Sequence, residues 1–414
     1  MTSDNWTILG TCEAAAVARA VVSEASPIAN LDFDFHDSDT GYLTHGLHPY
    51  PAKYIPQIPA ALIERLSKPG ETVADIFCGS GTTLVEAMLH GRNAVGIDAN
   101  PLACLIAEAK TARIDKSEHQ HLMQLAAKAE ELATDIARRQ LGTLFGSGSF
   151  VSTASRPTSP ALDFWFESFV IEELAEVLSW CRALPTAQTQ CIGLVAFSSI
   201  IVTVSKQDSD TRYVRREKRI APGDTMSRFS RALRSAAQAV SSFTEKISTL
   251  GASVACRVLQ GNILHGPNVP TFDLMVCSPP YPNAYSYHLY HMTRMVWLGF
   301  DQALFKREEI GSHRKYSSKG ANGATAETFR QEMEHIFCWL RLHLRAGGFA
   351  CFVIGDSTIR GEKVSNVKLI SEIAHRTEFR EVARLSRRLQ ATKKAFNPAI
   401  GKIKEEHVLV LRNS

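Results

Sequence analysis

The sequence predicts an α/β protein: a doubly wound, mostly parallel sheet interrupted by a helical insert. Three observations carry this. Short apolar runs alternate with amphipathic stretches from Val73 to Asp98, the same alternation resumes near residue 254, and between about 116 and 250 strand signals give way to helical periodicity. At 414 residues the chain is long enough for two or three structural units.

The run VADIF from Val73 reads as a strand, CGSG as a glycine turn, and TTLVEAMLH as an amphipathic helix closed by Gly91. AVGID, from Ala94 to Asp98, is a second short strand ending in a carboxylate, after which Asn100 and Pro101 open another helix. Two parallel strands joined by a crossover helix start a doubly wound sheet.

From 116 to 250 the runs HLMQLAAKAEELATDIARR, VIEELAEVLSWCRAL and MSRFSRALRSAAQAVSSFTEKI are helical, with a Gly, Ser, Pro and Thr-rich loop from Gly142 to Pro160. Strands return at 254–262 and 272–277, a helix follows near Glu327–Leu344, and another strand lies at 347–356. REVARL (380–385) and EHVLVLR (406–412) predict a terminal hairpin, with Arg387, Arg388, Lys393 and Lys394 in a basic loop between them. The expected organisation is an N-terminal extension over 1–42, a catalytic unit built from 43–115 and 251–414, and a helical insert over 116–250.

Composition excludes several classes. Forty-five per cent hydrophobic and 21% charged residues describe a globular chain, and a net charge of +4 does not by itself argue for nucleic acid. The nine cysteines include no C-x-x-C pair, which argues against a zinc ribbon or a disulfide framework and for a reducing cytoplasm. Met1–Asn5 has no basic region leading into an apolar stretch, so no secretory leader is expected. The apolar run Cys191–Val204 is broken by Gly193, Ser198, Ser199 and Thr203 and reads as a buried helix.

Two motifs carry chemistry. In Phe77-Cys78-Gly79-Ser80-Gly81, glycines let a ligand approach bare backbone, and Asp98 at the end of the next strand is placed to accept hydrogen bonds from ribose hydroxyls. A nucleoside-containing cofactor is the expectation. Neither a Walker loop nor G-x-G-x-x-G is present, since Val85 lies near the third glycine position. The second motif, Ser278-Pro279-Pro280-Tyr281, follows an apolar strand. Its prolines stiffen the loop and leave carbonyls as acceptors, so a carbonyl and the serine hydroxyl together suit an exocyclic amine, while Tyr281 offers a flat face to a base.

FCGSG and SPPY, with HPYPAKYIP upstream, resemble the S-adenosylmethionine-dependent amino-methyltransferases that modify cytosine N4 or adenine N6 in DNA. The resemblance implies a Rossmann-like methyltransferase fold with S-adenosylmethionine as cofactor. It places Phe77, Cys78, Gly79 and Gly81 at the cofactor, Lys53 beside its methionine end, Asp98 at its ribose, Asn262 near its adenine, and Ser278 to Tyr281 at the target base. The family often has an acid where Asn262 stands. Serine at the head of the motif is typical of cytosine-N4 members, whereas adenine-N6 members usually carry Asp or Asn. The motif order implies that the insert recognises the target, that DNA is the partner, and that a cognate restriction endonuclease is a possible companion.

The insert segment Ser205–Arg234 holds nine basic residues against four acids, a local charge of +5. Arg212, Arg215, Arg216, Lys218 and Arg219 are therefore the candidates for DNA contact, with a solvated helix face as the alternative. Aromatic crowding from Tyr281 to Tyr290 suits stacking on an extruded base. His45 with His48, and His288 with His291, lack further ligands at metal spacing; the latter pair is expected to line the pocket or cap the next helix. Cys78 and Cys277 are expected to pack rather than react. Competing readings are an RNA exocyclic-amine methyltransferase and a catalytically silent nucleic-acid-binding relative.

Overall fold

The computed structural model describes residues 33–35, 38–141, 149–251, 253–282, 285–317, 323–359, 361–388 and 405–414. In chain order, α1 (Gln57–Leu66) leads into β1 (Thr72–Asp75), α2 (Thr82–Leu89), β2 (Asn93–Asp98) and α3 (Pro101–Thr111). The middle of the chain forms α4 (Lys116–Leu141), α5 (Ala161–Trp165), α6 (Ser168–Arg182), α7 (Ala187–Val204), a hairpin of β3 (Gln207–Ser209) and β4 (Arg212–Arg215), and α8 (Asp224–Ser248). Next come β5 (Cys256–Gln260), β6 (Phe272–Cys277), α9 (Tyr287–Tyr290), α10 (Met292–Leu298), α11 (Gln302–Glu308), α12 (His313–Ser317) and α13 (Ala326–His343). The chain closes with β7 (Leu344–Gly355), β8 (Ser357–Ile359), β9 (Glu362–Val364), α14 (Asn366–Arg376), β10 (Phe379–Arg388) and β11 (Glu405–Asn413).

Seven strands form one sheet in the order β10-β11-β7-β6-β1-β2-β5. β7, β6, β1, β2 and β5 run parallel, and β11 is antiparallel to both of its neighbours. From β1 the chain winds outward through β2 and β5, then returns on the other side of β1 with β6 and β7. The winding therefore reverses between β1 and β6, and the carboxyl ends of those strands splay into a crevice.

Strand alternation divides the sheet residues between two cores. Ala74, Val95, Met275 and Phe352 pack with α13 and α14, whereas Val73, Leu274, Val276 and Val353 pack with α1 and α2. A third core lies among the middle helices and takes in Leu102, Ile106 and Ala109 of α3, so the helical block is a further layer on the same body. Helix α8 bolts the layers together. Its Phe229, Leu233 and Val240 belong to the helical core, while Phe243 and Ile247 continue the stripe into the core beneath the sheet. Each such fully buried side chain contributes on the order of 2 kcal/mol.

Two expectations change. The middle block contains the β3–β4 hairpin, whose Arg212–Arg215 strand is exposed throughout and so has no apolar alternation to reveal it. Strand β10 runs on to Arg388, because Arg387 pairs with Glu406 across the hairpin; Arg387 and Arg388 thus lie in the strand rather than in a loop. Lys393 and Lys394 lie outside the described residues, as do Cys12 and the segment 142–148 of the expected loop. Among the described residues α7 alone is long and apolar enough to cross a membrane, and its Ile192, Val195, Phe197 and Ile201 are buried in the helical core.

Candidate functional site: a cleft at the carboxyl edge of the sheet

Five parallel strands deliver their carboxyl ends to one cleft of about 1100 Å³. β1 supplies Ile76 to Ser80, β2 supplies Asp98 to Asn100, β5 supplies Gly261 to Ile263, β6 supplies Ser278 to Pro282, and β7 supplies Asp356. Lys53, Phe77, Cys78, Gly79, Asp98, Asn262 and the whole of Ser278–Tyr281 line this cleft together. Gly81 does not. It starts α2 at φ +81°, and a Cβ there would stand 2.9 Å from that of Ala107, so it serves close packing of α2 on α3.

The glycine turn and the β2 acid are directly bonded. Asp98 accepts the Gly79 N–H and the Asn100 N–H, both at 2.8 Å, which holds its carboxylate facing the cleft. Burial pushes Asp98 up to about 6 even though these amide bonds pull it down. Beside this unit Tyr50 packs against Gly79, stacks on Tyr287 with centroids 5.6 Å apart and accepts a hydrogen bond from Asn100 at 3.2 Å. Lys53 donates to the His45 carbonyl at 2.8 Å, and burial lowers its ammonium from the ordinary lysine value. Beneath the turn, the fully buried Lys110 donates to Ser80 Oγ at 3.2 Å.

The two motif loops are also braced from below. Thr83 of α2 donates to Asp75 at 2.6 Å and lies 3.2 Å from the Val276 carbonyl of β6, so the helix after the glycine turn touches the strand that leads to Ser278. Asp75 also accepts the Phe77 N–H and the Tyr54 hydroxyl, and burial pushes it up to about 7. From above, Gly311 presses on the second motif. At φ +75°, a Cβ there would stand 3.0 Å from Pro280 Cβ and from the Tyr281 carbonyl oxygen.

Residues that sequence reading did not nominate complete the walls. Asn262 is already committed: its amide oxygen accepts the Leu264 N–H at 3.0 Å and its amide nitrogen donates to Glu308 Oε2 at 2.7 Å. Glu308 thereby brings a carboxylate to the β5 end of the cleft. Glu309 accepts the Tyr287 N–H at 2.5 Å and meets His288 Nδ1 at 2.6 Å, fixing the aromatic segment. Tyr285 and Tyr287 line the cleft; Tyr290 does not. Neither His288 nor His291 lines it, because both are drawn inward by partners, His288 by Glu309 and His291 by Asn100 at 3.3 Å. His45 meets Glu86 and His48 meets Ser198, both buried. Burial raises the Cys78 and Cys277 thiols well above the usual range, which suits packing rather than nucleophilic attack.

The basic segment is anchored to the α9–α10 segment that follows the second motif. Gln207 donates to the Tyr290 carbonyl at 3.0 Å and accepts from Thr293 at 2.9 Å, and the buried Arg294 pairs with Asp210 at 2.5 Å. Arg212 and Arg216 both reach Asp208, and Arg215 pairs with Glu217 while lying over the exposed Phe164 ring. Arg219 is exposed. Lys218 turns inward and donates to the Val202 carbonyl at 2.6 Å.

The residues fit S-adenosylmethionine. Bare backbone at Gly79, the Asp98 carboxylate, the Tyr50 ring and the Lys53 ammonium face one cleft, a donor set that suits the peptide-like, ribose, apolar and carboxylate portions of such a molecule.

Residues 31–109, which carry HPYPAKY, the glycine turn and Asp98, match the N6/N4 family described as DNA methylase. The chain is 32% identical over 179 residues to the type II methyltransferase M.MvaI of Kocuria varians, covering 42% of this chain and 37% of that protein. It is 40% identical over 93 residues to the type II methyltransferase M.MjaII of Methanocaldococcus jannaschii, covering 22% of this chain and 18% of that one. A third relative, the type II methyltransferase M.BglI of Bacillus subtilis, is 46% identical over 50 residues, covering 12% and 14%. The chain thus spans less than half the length of these curated relatives. By its motifs and these matches, the chain is similar to the S-adenosylmethionine-dependent amino-methyltransferases over the segment that carries the glycine turn and Asp98.

Proposed function

We propose that the protein methylates the exocyclic N4 amine of cytosine in DNA. The observation that carries this reading is that Gly79 and Asp98 share one cleft with a motif headed by Ser278, a hydroxyl rather than a carboxylate or carboxamide. S-adenosylmethionine, when bound, supplies a methyl group on a sulfonium.

Ser278 and the Pro279 carbonyl accept hydrogen bonds from the amine, which favours a pyramidal nitrogen with its lone pair free of the ring. In duplex DNA the amine is paired and stacked, so the base enters the cleft extruded, between Tyr281 and the Tyr285–Tyr287 rings. The helical block serves target recognition. Its hairpin, tied to Tyr290, Thr293 and Arg294, and the segment just after it offer Arg212, Arg215, Arg216 and Arg219 to phosphates and base edges.

Incubation with methyl-labelled cofactor and DNA, RNA or neither, followed by mass spectrometry of released nucleosides, tests this reading. N4-methylcytosine in DNA is the expected product. N6-methyladenine overturns the base assignment, label on RNA alone overturns the substrate, and absence of transfer overturns the activity.

A further inference from the structure

Methylation of a neutral amine leaves a surplus proton on nitrogen, and Ser-Pro-Pro-Tyr contains no carboxylate to accept it. Three carboxylates of the cleft already have partners elsewhere on its walls: Asp98 at Gly79 and Asn100, Glu308 at Asn262, and Glu309 at Tyr287 and His288. Glu406 is different, because its partner is the motif itself. The Tyr281 hydroxyl reaches Glu406 Oε1 at 3.3 Å, with the Val353 carbonyl at 3.4 Å, and the Ser278 side chain lies beside the same phenol and favours its ionised form. Ser278, Tyr281 and Glu406 all line the cleft.

Topology explains how a residue near the C-terminus reaches this edge. β11 runs antiparallel to β7, so its first residues lie beside the carboxyl end of β7, with Glu406 opposite Gly355 on one side and Arg387 on the other. Arg387 Nη1 stands 3.3 Å from Glu406 Oε2.

We propose that Ser278, Tyr281 and Glu406 form a proton relay that carries the amine's surplus proton away from the reacting nitrogen. The relay rests on the amine-methylation reading above. The nitrogen lone pair forms the new N–C bond and the C–S bonding pair returns to sulfur. The nitrogen then gives one proton to Ser278 Oγ, Ser278 gives its own to Tyr281 Oη, and Tyr281 gives its own to the Glu406 carboxylate. Serine and tyrosine end as they began; Glu406 ends neutral and later releases the proton to water. Glu406 touches Tyr281 and not the base, so it is a positioning residue acting through the phenol.

Two environmental effects support this assignment. Burial raises Glu406 above the usual carboxylate range, which makes it a better acceptor, and Arg387 opposes that rise and favours the ionised form. Burial also holds the Tyr281 phenol neutral, as a relay requires. The other charged groups around Glu406 are Glu405 and His407 on β11, with Asp356 and Lys363 on the same cleft.

The test is single-turnover transfer to amplified, hence unmethylated, bacterial genomic DNA across pH 5.5–9, with methyl-labelled cofactor kept saturating at every pH so that protonation of Asp98 does not shape the profile, and with cofactor affinity measured by calorimetry. Glu406→Gln keeps the shape and loses the proton acceptor. It is expected to slow transfer by about 10- to 100-fold, leave cofactor affinity within about twofold, and abolish the acid limb of the rate profile. Tyr281→Phe is expected to lose a similar factor, the double variant no more than the worse single, and Glu406→Asp to recover part of the rate. A Glu406→Gln rate within about twofold of wild type, an unchanged acid limb, or losses that multiply in the double variant overturns the relay. No label on DNA from the wild-type protein overturns instead the reading on which the relay rests.

Discussion

The Gly79 N–H donates to the Asp98 carboxylate at 2.8 Å, which makes the glycine turn after β1 and the acid after β2 a single binding unit. Losing the acid therefore loosens the turn as well as removing the proposed ribose acceptor. Asp98→Ala is expected to weaken S-adenosylmethionine binding by at least about tenfold, measured by calorimetry, the scale of losing charge-assisted hydrogen bonds.

The same carboxylate sets a pH dependence. Burial pushes Asp98 up to about 6, so between pH 7 and pH 5 its ionised fraction falls about tenfold. Only the ionised form can accept from the Gly79 and Asn100 amides and, as proposed, from the ribose hydroxyls together. Cofactor affinity is thus expected to fall by about that factor as pH drops through 6, and calorimetry at pH 5, 6, 7 and 8 checks the direction.

In the proposed reaction Ser278 holds the amine rather than the cofactor. Ser278→Ala is expected to lower kcat by about 100-fold while cofactor affinity stays within about twofold, the converse of Asp98→Ala. Equal losses of turnover and affinity in both variants would contradict this division.

Gly311 seats the second motif. Gly311→Ala places a Cβ 3.0 Å from Pro280 and Tyr281 at a positive φ, which displaces the loop. Turnover is expected to fall about tenfold with cofactor affinity retained. Gly251→Ala is the control: it carries the positive-φ penalty at +65° but meets nothing within 4 Å, and its kcat should match wild type.

The exposed arginines of the hairpin separate from the inward lysine. Arg216→Ala is expected to weaken DNA binding and reduce the slope of log affinity against log salt by about 1, read by fluorescence anisotropy. Lys218→Ala removes a donor to the Val202 carbonyl, so it should lower Tm with little change in that slope.

The sheet was legible because its central strands are buried on both faces. Leu274–Cys277 is a continuous apolar run for that reason, and the observed bounds of its strand, Phe272–Cys277, are those read from sequence. Gly79, Asp98 and Ser278 were legible because each lies at or shortly after the carboxyl end of such a strand, where the fold places ligands. The β3–β4 hairpin was hidden by its exposure, and Arg387 by a charge that suggested solvent although the side chain is buried against Glu406. Glu308, Glu309 and Glu406 were not legible at all. Their roles depend on partners far away in sequence, Asn262, His288 and Tyr281, which only the tertiary fold brings within bonding distance.

The most direct test of the central claim is a crystal structure with S-adenosylhomocysteine bound. The account predicts the ribose on Asp98 and the sulfur in the space that Gly79 and Ser278 share. Nucleoside density in a cavity that Ser278 does not line contradicts it.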